Sequence, residues 1–148
     1  ELKEKKQRLE DALAATRAAM EEGVLPGGGT SLIRASQKAR TSFTEGDDEA
    51  TGANTVFDSV TAPVELLVNN SGFSGAVVVN KILEGSDDFG FDAEKNQYGS
   101  MYELGIIDPM KVTRSALENA ASIAGMVLTI ESLITELNPP KLPAPFDD

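Results

Sequence analysis

Residues 2–29 read LKEKKQRLEDALAATRAAMEEGVLPGGG, and this stretch decides the fold class. Leu2, Leu9, Leu13 and Met20 are separated by seven, four and seven residues, the spacing that lines one stripe of an α-helix. The pattern predicts a helix over residues 2–22. Glu1/Lys5, Glu4/Arg8 and Lys6/Glu10 form i,i+4 pairs worth at most about 0.2–0.5 kcal/mol each, and Gly23 supplies a stop signal. Asp11 falls away from the leucine stripe, on the side of Ala14, Ala15 and Ala18, where small residues let another surface come close. Two readings of Asp11 stand here: a solvated helix acid, or a carboxylate offered to a neighbouring site. Gly27-Gly28-Gly29 precede Thr30-Ser31, which are expected to cap a second helix carrying Leu32, Ala35 and Ala39 on one face. Glycines before a helix start permit close backbone approach to a ligand and leave N–H groups free. A flexible turn is the alternative, because no Lys follows as in a P-loop.

Further along, residues 40–52 are polar and acidic and read as an exposed loop leading into a helix with Ala53, Val56, Phe57 and Val60. Pro63 suits the start of the next helix, through Val64, Leu66, Leu67 and Val68, which Gly72-Phe73-Ser74-Gly75 ends. Residues 76–83 carry Val77-Val78-Val79, which favours a strand, but Val78, Val79, Ile82 and Leu83 fit a helical face, and helix is the expectation. Residues 85–105, rich in Gly and Asp with Phe89, Phe91 and Tyr98, predict a hairpin with irregular loops and aromatic anchors. Asp108-Pro109 has the form of an N-cap and first helical residue, opening a helix whose apolar side holds Val112, Ala116, Leu117, Ala120, Ile123 and Ala124. A strand-like run follows at residues 132–137, and residues 138–148, with four prolines, are expected to be disordered. The fold class is therefore mainly α with a small β-hairpin or strand element.

The 148 residues are 41% hydrophobic and 25% charged, enough for one domain with a core. Thirteen basic and twenty-four acidic residues leave a net charge of −11, which disfavours nucleic acid as a partner. The absence of Cys and His removes disulfides, thiolate nucleophiles, imidazole bases and the usual zinc ligands. Chemistry would have to run on carboxylates, hydroxyls, amines or backbone groups. No apolar run approaches the roughly 18–20 residues of a membrane span, so no membrane partner is expected. The chain starts at Glu1 inside a predicted helix, which is expected of a piece of a longer polypeptide.

Taken together, residues 1–6 (ELKEKK), 9–19 (LEDALAATRAA) and 21–29 (EEGVLPGGG) closely resemble the later part of group I chaperonins of the GroEL type. The resemblance continues through Phe89-Gly90-Phe91-Asp92-Ala93 and Tyr98-Gly99 to residues 105–117 (GIIDPMKVTRSAL) and 119–125 (NAASIAG). It covers residues 1–137 and is weakest between Thr41 and Ser59.

The resemblance implies an intermediate-domain helix at 1–22, the C-terminal half of the equatorial ATPase domain at 23–137, and a Pro-rich tail at 138–148. The apical domain, which in this family binds nonnative polypeptides and the co-chaperonin, would precede Glu1. So would the equatorial half carrying the phosphate loop and the magnesium-holding Asp. The intact subunit would be an ATPase in a double seven-membered ring of identical subunits, using ATP with Mg2+, and K+ as a further candidate ion. Position by position, Asp11 resembles the Asp that swings over the nucleotide and orients the attacking water. An Asp with a pKa of about 3.9 suits that task better than proton abstraction. Gly28, within Gly27-Gly28-Gly29, matches the nucleotide-contacting glycine, and Asp108 the carboxylate that accepts from the ribose hydroxyls. Asp92, Ala93 and Glu94 match the adenine-side segment, and Ile106 packs on the base. No metal ligand is expected in this stretch.

Asp92 stands where many bacterial members have Asn, Glu94 where Ala is frequent, and Asn138-Pro139-Pro140 where a Gly/Met-rich tail is usual. Three acids in one pocket repel a triphosphate by about 1 kcal/mol or more per pair at a few ångströms even in water, so these residues alone are expected neither to bind ATP well nor to hydrolyse it. The competing reading is a nonenzymatic helical module that uses a ring-forming surface without turnover. The compartment implied is bacterial cytoplasm, with mitochondrial matrix or plastid stroma as alternatives.

Overall fold

The computed structural model describes residues 2–43, 46 and 48–135. Six helices and four short strands follow one another: α1 (Leu2–Glu22), β1 (Val24–Pro26), α2 (Thr30–Arg40), α3 (Asp48–Ser59), α4 (Ala62–Asn70), α5 (Gly75–Glu84), β2 (Phe89–Asp92), β3 (Gln97–Ser100), β4 (Ile107–Pro109) and α6 (Met110–Thr129). The mainly helical class expected from the pattern holds. The hairpin does too, as β2 paired antiparallel with β3, Phe91 opposite Tyr98. Residues 75–84 are helical because Val78, Val79 and Ile82 recur on one turn-spaced face that the core covers, leaving Val77 outside. That core is Ile33, Val64, Val68, Val78, Val79, Ile82 and Phe91, drawn from α2, α4, α5 and β2.

The alanine side of α1 is where another surface comes close, as its small residues suggest: the helix lies on α6 and β4 through it, and the leucine stripe faces solvent, with Leu2 87% and Met20 83% exposed. Ala15 and Ala19 approach Val24, Ile107 and Pro109; Ala14 and Ala18 line the groove against Val112 and Ser115. Three expectations are corrected. Thr30 and Ser31 do not cap α2: Gly29 is its N-cap in the left-handed region, and Thr30, 1% exposed, is already helical. Asp108 caps nothing either. It sits in β4 opposite Leu25, and α6 starts after Pro109, because the Met110 N–H is taken by Gly23 O at 3.1 Å. Finally, α6 has no buried residue, so its apolar side is open, and residues 130–135 form no strand. On α2 the buried face is Ile33, Arg34 and Ser36, while Leu32, Ala35 and Ala39 look onto a groove shared with Val56, Phe57 and Leu117. The Pro-rich tail lies outside the described residues, as does the end of the strand-like run. Among the described residues, no helix is long and apolar enough to cross a membrane.

Candidate functional site

Gly23 ends α1 with φ +87, its N–H bonded to Ala19 O at 2.8 Å, and turns the chain into β1. β1 pairs antiparallel with β4 in the register Val24↔Pro109, Leu25↔Asp108, Pro26↔Ile107. One step further the Gly27 N–H donates to Ile106 O at 3.0 Å, so the ladder runs directly into the glycine loop. A Cβ on Gly27 would stand 3.0 Å from the Ile106 carbonyl, which explains the glycine there. Gly28 and Gly29 take φ of +65 and +82, a region that side chains disfavour, and the Gly27 carbonyl accepts the Thr30 N–H at 3.2 Å as α2 begins. A Cβ on Gly28 would meet only Met101 Cε, at 3.4 Å.

The fold thus brings together Gly27, Gly28, Ile106 and Asp108, which lie about 80 residues apart in sequence. Asp108 is half-buried, and among the described residues nothing engages its carboxylate. That arrangement suits a ligand offering hydroxyl donors beside a flat apolar group: a carboxylate acceptor, a side-chain-free backbone and an isoleucine within one ladder end.

Asp92, Ala93 and Glu94 lie elsewhere, at the turn of the β2–β3 hairpin. Asp92 is 4% exposed, and its Oδ1 accepts the N–H groups of Glu94 at 3.0 Å and Lys95 at 3.1 Å. Its first work is therefore to hold the turn. Ala93 packs on the core, and Glu94 is exposed. The hairpin reaches the glycine loop through Gly90, whose missing side chain admits Met101 and Thr30.

Asp11 is not brought to this cluster. It is exposed on α1, twelve residues before Gly23 and so about 18 Å away along the helix axis. Its carboxylate has no partner among the described residues. The C-terminal end of α1 is tied to α6 by two ion pairs, Lys111 with Glu21, and Arg114 with Glu22 at 2.7 Å. The Arg114 guanidinium holds the Glu22 carboxyl below the usual glutamate range, chiefly by hydrogen bonding. Among the described residues, no three acidic side chains gather closely enough to hold a metal ion.

Sequence reading missed the β1–β4 ladder, since three-residue strands leave no periodicity to detect. It also missed Met101, whose Cε lies under Gly28, and the buried Arg34. A Met and an Arg at single positions carry no pattern.

A family model described as the TCP-1/cpn60 chaperonin family matches residues 1–137. Among solved structures, a group III chaperonin in the open state is 25% identical over 79% of this chain and 25% of that one, with a TM-score of 0.68. The open-state monomer of a group II chaperonin from Methanococcoides burtonii is 20% identical over 84% of this chain and 33% of that one, with a TM-score of 0.72, a likeness of fold alone. The chain spans a quarter to a third of the length of these structures.

Proposed function

The chain belongs to the TCP-1/cpn60 chaperonin family, and from that premise we propose that it forms one wall of the ATP site in a chaperonin subunit that assists protein folding. The observation that carries this reading is the convergence of Gly27 and Gly28 with Ile106 and Asp108 at one ladder end, with the Asp108 carboxylate unengaged by any of the described residues. In this reading Asp108 accepts from the ribose hydroxyls, Gly28 lets the sugar approach the backbone, and Ile106 packs on the base. Asp92, Ala93 and Glu94 flank the adenine side; Asp92 Oδ1 is engaged in the turn and Oδ2 pairs with Lys95 Nζ at 4.0 Å, so a ligand there would share that oxygen with the lysine. Asp11 orients the attacking water once α1 swings about Gly23. Mg2+, any K+ and the phosphate ligands belong to the remainder of the subunit, which supplies the charge that the three acids here cannot.

We assign the chain to group I on its sequence motifs, with identical subunits in a double seven-membered ring, and with clients and a co-chaperonin engaged by another domain. A bacterial cytoplasm, or equally an organelle interior, suits that assignment. Ring symmetry seen by electron microscopy of the complete protein tests it, and rings of other than seven subunits would reject it. The site itself is tested in the complete subunit. Asp108→Ala should raise the KM for ATP about tenfold or more, as loss of a charged hydrogen bond of roughly 1.5–3 kcal/mol requires. Asp11→Ala should spare binding and nearly abolish turnover. Normal hydrolysis by Asp11→Ala would remove Asp11 from the mechanism.

A further inference from the structure

The site closes on itself through a circuit of backbone contacts, and one buried cation fastens that circuit. The Gly27 N–H donates to Ile106 O at 3.0 Å, the Ile106 N–H to Met101 O at 2.9 Å, and the Met101 N–H to Asp88 O at 2.8 Å. Asp88 follows the end of α5 by four residues. The last turn of α5 is in turn gripped by α2, the helix that grows out of the glycine loop. Arg34 Nη2 donates to Ile82 O, and Nη1 to Leu83 O at 3.4 Å and to Gln37 Oε1 at 2.9 Å. Gln37 Nε2 adds a bond to Leu83 O at 3.3 Å, and on the rim Lys38 pairs with Asp87 at 2.8 Å. From Gly27 through α2, Arg34, the end of α5, Asp88, Met101 and Ile106 the path returns to Gly27.

A helix C-terminus leaves carbonyls unpaired and carries partial negative charge. Many helices settle this with a left-handed glycine, but Gly85 is extended and packs against Phe89, so the chain leaves α5 straight towards β2. Arg34, only 8% exposed, serves the Leu83 carbonyl from another helix and shares the Ile82 carbonyl with the Gly85 N–H, which donates to it at 3.0 Å. Burying a guanidinium is costly, and an apolar side chain would fill the same volume; what the cation adds is a fixed direction and register between α2 and α5.

We propose that Arg34 is a positioning residue for the nucleotide site: by clamping the end of α5 to α2 it braces the Gly27–Gly28 loop and the Ile106–Asp108 segment from the side away from their direct ladder, without touching the ligand. This rests on the nucleotide reading above. Asp11 stands on α1, outside the circuit, so the clamp governs binding and leaves the hydrolytic step alone.

The test is steady-state ATP hydrolysis by the complete subunit as wild type, Arg34→Met, Arg34→Lys and Gln37→Met, with the folded fraction followed by circular dichroism. Arg34→Met should raise KM about tenfold with kcat within about twofold, since a loss of binding shared by ground state and transition state appears in KM alone. Arg34→Lys, which can still donate to Ile82 O, should recover part of the loss. Gln37→Met keeps the charge and should raise KM about two- to threefold. A folded Arg34→Met with wild-type KM overturns the proposal, as does a loss of kcat in proportion to folded fraction. If Arg34→Met does not fold, wild-type KM in both Arg34→Lys and Gln37→Met overturns it equally. A wild type that neither binds nor hydrolyses ATP instead rejects the nucleotide reading, before any variant is considered.

Discussion

At Gly90 an added Cβ would lie 2.5 Å from both Met101 Sδ and Thr30 Oγ1, and neither neighbour can give way because both are fully buried. Gly90→Ala should therefore destabilise the chain by about 1–3 kcal/mol, read as a lower midpoint in urea, through overpacking beneath the glycine loop. Gly125, with open space around its Cα, is the control that should tolerate Ala. Asp92 offers a second residue-scale test. Its Oδ1 serves two turn N–H groups, so Asp92→Ala should cost about 1–3 kcal/mol, whereas Asp92→Asn keeps an acceptor in place and should cost less than about 1 kcal/mol. A destabilisation by Asn equal to that by Ala would show that the charge, and not the acceptor, holds the turn. The Asp-for-Asn difference visible in the sequence is thus conservative for the hairpin whatever it does for a ligand.

At the scale of elements, α1 is loosely held, since it buries no residue and meets α6 and β4 through alanines and two ion pairs. Glu22 titrates below its ordinary value of 4.5 because Arg114 favours the carboxylate. A depressed carboxyl contributes stability above its unfolded pKa and loses it as pH falls through the folded value. Energy transfer between labels on α1 and α6 should accordingly stay constant from neutral pH to about 5 and decline only below the ordinary glutamate range. Arg114→Ala should produce the acid behaviour at neutral pH. Salt at about 1 M, where the Debye length is near 3 Å, should weaken the docking of the wild type, because both pairs are solvent-exposed. A separation unchanged by acid, salt and Arg114→Ala alike would mean that the alanine face alone holds α1.

For the whole molecule, the decisive feature is apolar surface without a partner among the described residues. It runs along the outer stripe of α1 (Leu2, Leu9, Leu13, Met20) and along α6 and beyond it (Ile123, Val127, Leu128, Leu133). Exposed apolar faces of this kind mark interfaces. The 148 residues produced alone should bind a dye such as ANS and self-associate, and calorimetric titration with ATP and Mg2+ should show neither micromolar affinity nor turnover. Micromolar binding by the isolated chain would mean that this wall suffices for the nucleotide.

Helix spacing, stop glycines and the aromatic hairpin were legible because each depends on residues within a turn or two of one another: local period and backbone freedom settle them before any long-range contact forms. The site residues are legible only through joint motifs, and Asp108 reads as a cap because a cap and a strand end present the same residue types. Which face of α1 turns inward, the pairing of residue 25 with residue 108, and the grip of Arg34 on a helix 48 residues away were decided by tertiary structure. Those outcomes depend on which surfaces meet across long sequence separations, and close approach through alanine and glycine, which carry almost no hydrophobic signal, selected the partners.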